Sequence, residues 1–223
     1  MNSNKIILIV GRENLRKDGS LNNSLFAYLE QHQFTILYEP IGSAYYHILN
    51  FEKKYIWLPN IFKKINRKIC LFKYAALNFK NYYNYYKANI NYVEFRSRIL
   101  KQLISKMGTE KEIIIISRSA GGLIASLIAD EFNIKHIICL GYPFKHPEKE
   151  TEPHRFIHLK KLQTPFLIIQ GKKDEYGGIE TIGNYALSPS IELFFVDTDH
   201  DFKTSDDDWK NVLAKINTII NLP

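Results

Sequence analysis

Three short segments hold the residue types that acyl-transfer chemistry needs. Ser117-Arg118-Ser119-Ala120-Gly121-Gly122 follows the apolar run Ile113-Ile114-Ile115-Ile116 and precedes a helical stretch. Small residues two positions either side of a serine, between a strand and a helix, let the backbone fold back on itself and lift the hydroxyl clear of it. This is a nucleophile-elbow pattern. Ser119 is then the candidate nucleophile, and the Ala120 backbone N–H is aimed at the oxyanion of a tetrahedral intermediate. Ser117 stands where glycine is usual, Gly121 fills the other side of the turn, and Gly122 lets the helix pack closely. Lys172-Lys173-Asp174 follows a second apolar run, Pro165–Gly171, and Asp197-Thr198-Asp199-His200-Asp201 follows a third, Ile191–Val196. His200 can take the Ser119 proton while an acid orients the ring and stabilises the imidazolium. Asp174 is the expected acid, because it follows a neighbouring strand and can approach the far side of the ring. Asp197, Asp199 and Asp201 are too close in sequence to His200 to do so comfortably.

These segments need elements to position them. Lys5–Val10, Phe34–Tyr38, Glu112–Ser117, His136–Leu140, Pro165–Gly171 and Ile191–Val196 read as strands, β-branched or aromatic and bounded by turn residues. Helical periodicity falls near Leu21–His32, over Tyr92–Met107 and Ala120–Phe132, and more briefly near Gly178–Ala186. A last helix starts at Ser205, with Asp208 three residues on as a capping box. Pro40 and Gly42 stop the second strand. Six strands alternating with helices predict an α/β fold: a mostly parallel six-stranded sheet with helices on both faces. In such a sheet functional residues gather beyond the C-terminal strand ends, where all three segments fall.

Composition agrees with an ordinary globular chain. The 223 residues are 45% hydrophobic and 24% charged, which suits one domain spanning 1–223 and excludes disordered and collagen-like classes. Two cysteines without a cluster exclude a disulfide framework, and no apolar run reaches membrane-span length; a cytoplasmic location is expected. The net charge of +7 is unevenly spread: residues 45–107 carry 13 Lys/Arg against Glu52 and Glu94, and nine of the 14 tyrosines. Residues 43–91 fit no part of the alternation and read as a basic, tyrosine-rich insertion. It leaves the strand edge that holds the candidate site, as a cap or as a contact for an anionic membrane surface or amphiphile. No HxH or HExxH spacing and no GxGxxG or GxxxxGK[ST] motif occurs, so neither metal nor nucleotide cofactor is expected. Nucleic acid is not an expected partner, since no binding motif is present.

The order Ser119, Asp174, His200 is the chain order of the α/β-hydrolase triad, and the chain resembles that superfamily. Within it, the chain looks closest to the small, lid-poor dienelactone-hydrolase-like group. The resemblance runs from the elbow through Leu140-Gly141-Tyr142-Pro143, His158-Leu159 and Pro165–Asp174 to Asp199-His200-Asp201-Phe202. It implies a truncated α/β-hydrolase core without cofactor. It also implies a serine hydrolase that takes a small-molecule ester or thioester through an acyl-enzyme. The family's oxyanion strand ordinarily ends His-Gly-x; here it ends Val10-Gly11-Arg12, so the second oxyanion donor would be the Arg12 backbone N–H. Loss of that histidine and the serine at position 117 also leave open a non-catalytic binding protein on this fold. An acyltransferase is the remaining alternative, hydrolysis being favoured because water is the default acceptor.

Overall fold

Runs of β-branched and aromatic residues become the strands β1 (Lys5–Val10), β2 (Thr35–Tyr38), β3 (Glu112–Arg118), β4 (Ile134–Leu140), β5 (Phe166–Gly171) and β6 (Ile191–Val196). The structure, a computed structural model, describes residues 5–11, 22–32, 34–88 and 91–221. The strands form one sheet in the order β2-β1-β3-β4-β5-β6, with every neighbouring pair parallel. The chain builds outward from β1, first to β2 on one side and then to β3 on the other. The crevice where the direction reverses lies between β1 and β3, and it is there that such sheets place ligands.

Strand alternation divides the core between the two faces. Leu8, Val10, Ile113 and Ile115 point to one side. They pack there on Leu100 and Ile104 of α5 (Tyr92–Ser105) and on Leu123 and Ile124 of α6 (Ala120–Ser126). Ile7, Ile9, Ile114 and Ile116 point to the other. They meet Leu29 of α1 (Ala27–Gln31) and Trp209, Val212 and Ile216 of α8 (Asp206–Ile220). Ser205 caps α8, its Oγ accepting the Asp208 N–H at 3.1 Å.

Several boundaries differ from the sequence expectation, for local reasons. Pro40 opens a helix instead of ending a strand: it is the first residue of α2 (Pro40–Lys54), where proline's missing N–H costs nothing. The helix after the elbow stops at Ser126 and gives way to a 3-10 turn at Ala129–Glu131. The helix expected near 178–186 is only α7 (Ile179–Ile182). A π-helical turn, Asn22–Phe26, leads into α1, and Leu21 lies outside the described residues.

The insertion is helical. α2 is followed by α3 (Asn60–Leu77) and α4 (Phe79–Ala88), so the elaboration begins at Pro40 rather than at residue 43. Ile41, Ala44 and Tyr74 form its small core. Its main contacts with the rest of the molecule run to β2 and α5. Among the described residues no helix is long and apolar enough to cross a membrane.

Candidate active site

The elbow is tight because three backbones meet in it. Ser119 has φ 50° and ψ −123°, a conformation that costs an L-residue about 1–3 kcal/mol and persists only when its surroundings enforce it. Its N–H donates to the Leu140 carbonyl at 3.1 Å, and its own carbonyl accepts the Gly122 N–H at 2.8 Å. A Cβ at Gly121 would stand 2.3 Å from the Val10 carbonyl oxygen, and one at Gly122 would stand 2.3 Å from Cys139 Sγ. Only glycine lets α6 start this close to β1 and β4. Ser117 fits in the usual glycine position because it lies within the sheet, buried, with its Oγ donating to the Ile138 carbonyl at 2.9 Å.

The three chemistry-bearing residues meet behind different strands. Ser119 Oγ lies 2.9 Å from His200 Nε2. His200 Nδ1 lies 2.9 and 3.0 Å from the two carboxylate oxygens of Asp174. A ring that donates from Nδ1 to Asp174 presents the Nε2 lone pair to the serine hydroxyl. All three side chains are buried, whereas Ala120, next to Ser119, is exposed. The site therefore opens to solvent beside the start of α6. Asp197 pairs instead with Lys173 at 3.0 Å, and Asp199 accepts the Asp201 N–H at 2.9 Å.

Around them stand residues that motif reasoning did not single out. Asp174 also accepts from Gln170 Nε2 at 2.7 Å and from the Tyr176 N–H at 2.8 Å, which fixes the carboxylate plane. Gln170 Oε1 takes the Tyr142 N–H at 2.8 Å, tying the loop after β4 to the acid. The Tyr176 ring lies 4.4 Å from the His200 ring, centroid to centroid. Arg118, one residue before the nucleophile, donates through Nη2 to the His200 carbonyl at 2.5 Å and through Nη1 to the Leu140 carbonyl at 3.3 Å. Its guanidinium stacks 5.0 Å from the Phe202 ring. Phe202 itself has φ 57°, so backbone strain flanks the histidine as well as the serine.

Gly11, the residue that follows β1, is held by a buried ion pair. Glu39, at the end of β2, accepts the Gly11 N–H at 2.9 Å and pairs with Arg96 of α5. Arg96 Nη2 also reaches the Gly11 carbonyl at 3.3 Å. Burial works against the Arg96 charge, but the Glu39 carboxylate outweighs it, and the guanidinium titrates above its usual range. Gly11 is thus clamped at both its N–H and its C=O. The Arg12 N–H expected as the second oxyanion donor lies outside the described residues.

Other titratable groups near the elbow are built out of the chemistry. Burial pushes the Cys139 thiol up to about 12, which keeps it protonated beneath the elbow. Burial pushes His158 down to about 4, and its Nε2 lies 2.8 Å from Ser126 Oγ on α6. Among the described residues no three His, Cys, Asp or Glu side chains are grouped to hold a metal ion.

A parallel sheet with a strained serine turn after one strand, and an acid and a histidine after two others, defines the α/β-hydrolase class. Residues 80–221 match the alpha/beta hydrolase domain family, and the chain belongs to it. Solved structures share the fold at low identity. A protein of the alpha/beta hydrolase superfamily from Xanthomonas campestris pv. campestris superposes with a TM-score of 0.56 at 12% identity, over 96% of this chain and 98% of that one. One of the metagenome-derived lipolytic enzymes LipS and LipT gives 0.51 at 12% identity, over 97% and 94%. An esterase from Pyrococcus furiosus gives 0.50 at 13%, over 99% and 85%. These likenesses show the fold; the alpha/beta hydrolase family itself rests on the match over residues 80–221, which does not reach the narrower dienelactone-hydrolase-like group. No curated protein matches the chain.

Proposed function

We propose that this protein is a serine hydrolase of a carboxylic ester or thioester. The observation that carries the reading is the hydrogen-bonded line from Ser119 through His200 to Asp174 at a strained elbow. In the reaction, the Ser119 hydroxyl proton passes to His200 Nε2 as Oγ bonds to the acyl carbon. The carbonyl electron pair moves onto oxygen, and that oxyanion accepts a hydrogen bond from the Ala120 N–H at the start of α6. When the tetrahedral intermediate collapses, the bond to the alcohol or thiol breaks and His200 returns the proton to that leaving group. Water, deprotonated by His200, then attacks acyl-Ser119, releasing the acid and restoring the serine. Asp174 keeps the imidazole in the required tautomer and stabilises the imidazolium.

Fluorophosphonate labelling tests this with a mapped adduct. The wild type should carry the label on Ser119. Ser119→Ala should lose it and lower ester turnover by several orders of magnitude, and Asp174→Asn should lower turnover by about 10⁴ with the elbow intact. Equal turnover of Ser119→Ala and wild type on short-chain esters and thioesters would end the proposal.

A further inference from the structure

An amphipathic helix on a globular protein normally turns its apolar stripe inward. α3 does the reverse. Ile61, Phe62, Ile65, Ile69 and Phe72 are between 48 and 76% exposed, while Asn66, Cys70 and Tyr74 face the molecule. At 100° per residue the five outward residues fall within an arc of about 100°, a continuous stripe along the helix. Trp57, just before α3, is exposed beside them. The same helix carries five basic residues and no acidic one. Two of the five bond to the protein: Lys63 donates to the Ile56 carbonyl at 3.0 Å and Arg67 pairs with Glu52 at 3.1 Å. The other three, Lys64, Lys68 and Lys73, are exposed at the two margins of the stripe.

The geometry points to α3 as a docking face for an anionic lipid surface. An exposed apolar stripe edged on both sides by lysines is the pattern of a helix that lies in a bilayer interface, apolar face down, with cations at headgroup level. A second copy of this chain fits the face less well, because self-association would bring the same lysine margins together. Nucleic acid would engage the lysines but leave the isoleucines in water. α3 would dock in this way whether or not Ser119 is a nucleophile.

The test is sedimentation of the full chain with phosphatidylcholine vesicles, with and without 30% phosphatidylserine, at low and high salt, alongside Trp57 emission. Trp209, the other tryptophan, is buried and serves as the constant background. The wild type should bind the phosphatidylserine vesicles at low salt with a blue-shifted emission, and release them at high salt. Neutralising Lys64, Lys68 and Lys73 to Gln should weaken binding roughly a hundredfold, at about fivefold per lysine near such a surface. Ile65→Ser/Phe72→Ser should abolish the blue shift. Both variants change exposed positions, and their thermal unfolding and soluble-ester turnover should match the wild type. Binding that ignores phosphatidylserine, or survives both sets of substitutions, overturns the inference. So does a dimer that Ile65→Ser/Phe72→Ser dissociates, or tighter binding to an oligonucleotide than to vesicles. Vesicle binding by a protein that turns over no ester would leave the docking face standing and remove the hydrolase reading.

Discussion

The Glu39–Arg96 pair offers a perturbation whose effects on stability and on catalysis should separate. Both side chains are almost fully buried, at 2% and 5% exposed. Arg96→Met strips the guanidinium and strands a buried carboxylate, at a cost of about 3–5 kcal/mol. For a domain whose total stability is on the order of 5–15 kcal/mol, that moves the urea midpoint down by roughly 2 M. The double variant Glu39→Leu/Arg96→Met removes both charges and should regain most of that loss, because no ion is left unpaired. Its turnover should not recover. Gly11 will have lost the acceptor for its N–H and the donor to its carbonyl. If the Arg12 N–H serves as the expected second oxyanion donor, a role worth about 10²–10³ in kcat, its displacement should cost at least tenfold. Urea unfolding followed by far-UV circular dichroism reads the first quantity, and saturating ester turnover the second. A cost below 1 kcal/mol for Arg96→Met would refute the buried pair. Wild-type kcat in a stable double variant would refute its role in holding Gly11.

Gly121→Ala would place a Cβ 2.3 Å from the Val10 oxygen, so α6 or β1 must shift; a loss of about 3 kcal/mol is expected in thermal unfolding, and an unchanged Tm would contradict the packing described. His158, held down to about 4 by burial, stays neutral in the folded protein while the unfolded chain takes up a proton below about pH 6.5. Its contribution is therefore present above that pH and falls away as pH drops from 6.5 towards 4, by about 2 kcal/mol for an incompletely buried ring. His158→Gln should show a smaller drop in urea midpoint between pH 7 and 4.5 than the wild type, and equal drops would refute the assignment.

The sheet and the positions of Ser119, Asp174 and His200 were legible because each rests on a local signal. An apolar run between turn residues marks a strand in a sheet covered on both faces, and residues just after it must lie at one edge. The residues that hold the site carry weaker signals. Gln170 is the one polar side chain in the otherwise apolar strand Phe166–Gly171, and Arg118 is the last residue of β3, two positions after a run of isoleucines; both are anomalies that only a known partner explains. Glu39 and Arg96 sit 57 positions apart, with no periodicity to connect them. Pro40 was ambiguous in itself, since the ring that ends a strand also starts a helix. α3 shows the limit of periodicity: the pattern marks an apolar face but does not say whether protein or something else covers it.

The strand order has a consequence for biosynthesis. β1 can pair with β2 as soon as residue 38 has left the ribosome, but its other edge belongs to β3, which begins at Glu112. All of the insertion is made in between, and at 5–20 residues per second residues 39–111 take roughly 4–15 s. During that interval β1, apolar on both faces, has an unpaired edge of backbone donors and acceptors, the template on which chains add to one another. The helices emerging meanwhile belong mostly to the insertion, whose main contacts with the rest of the molecule run to β2 and α5. This chain therefore spends its longest exposed moment just before the elbow strand arrives to pair with β1.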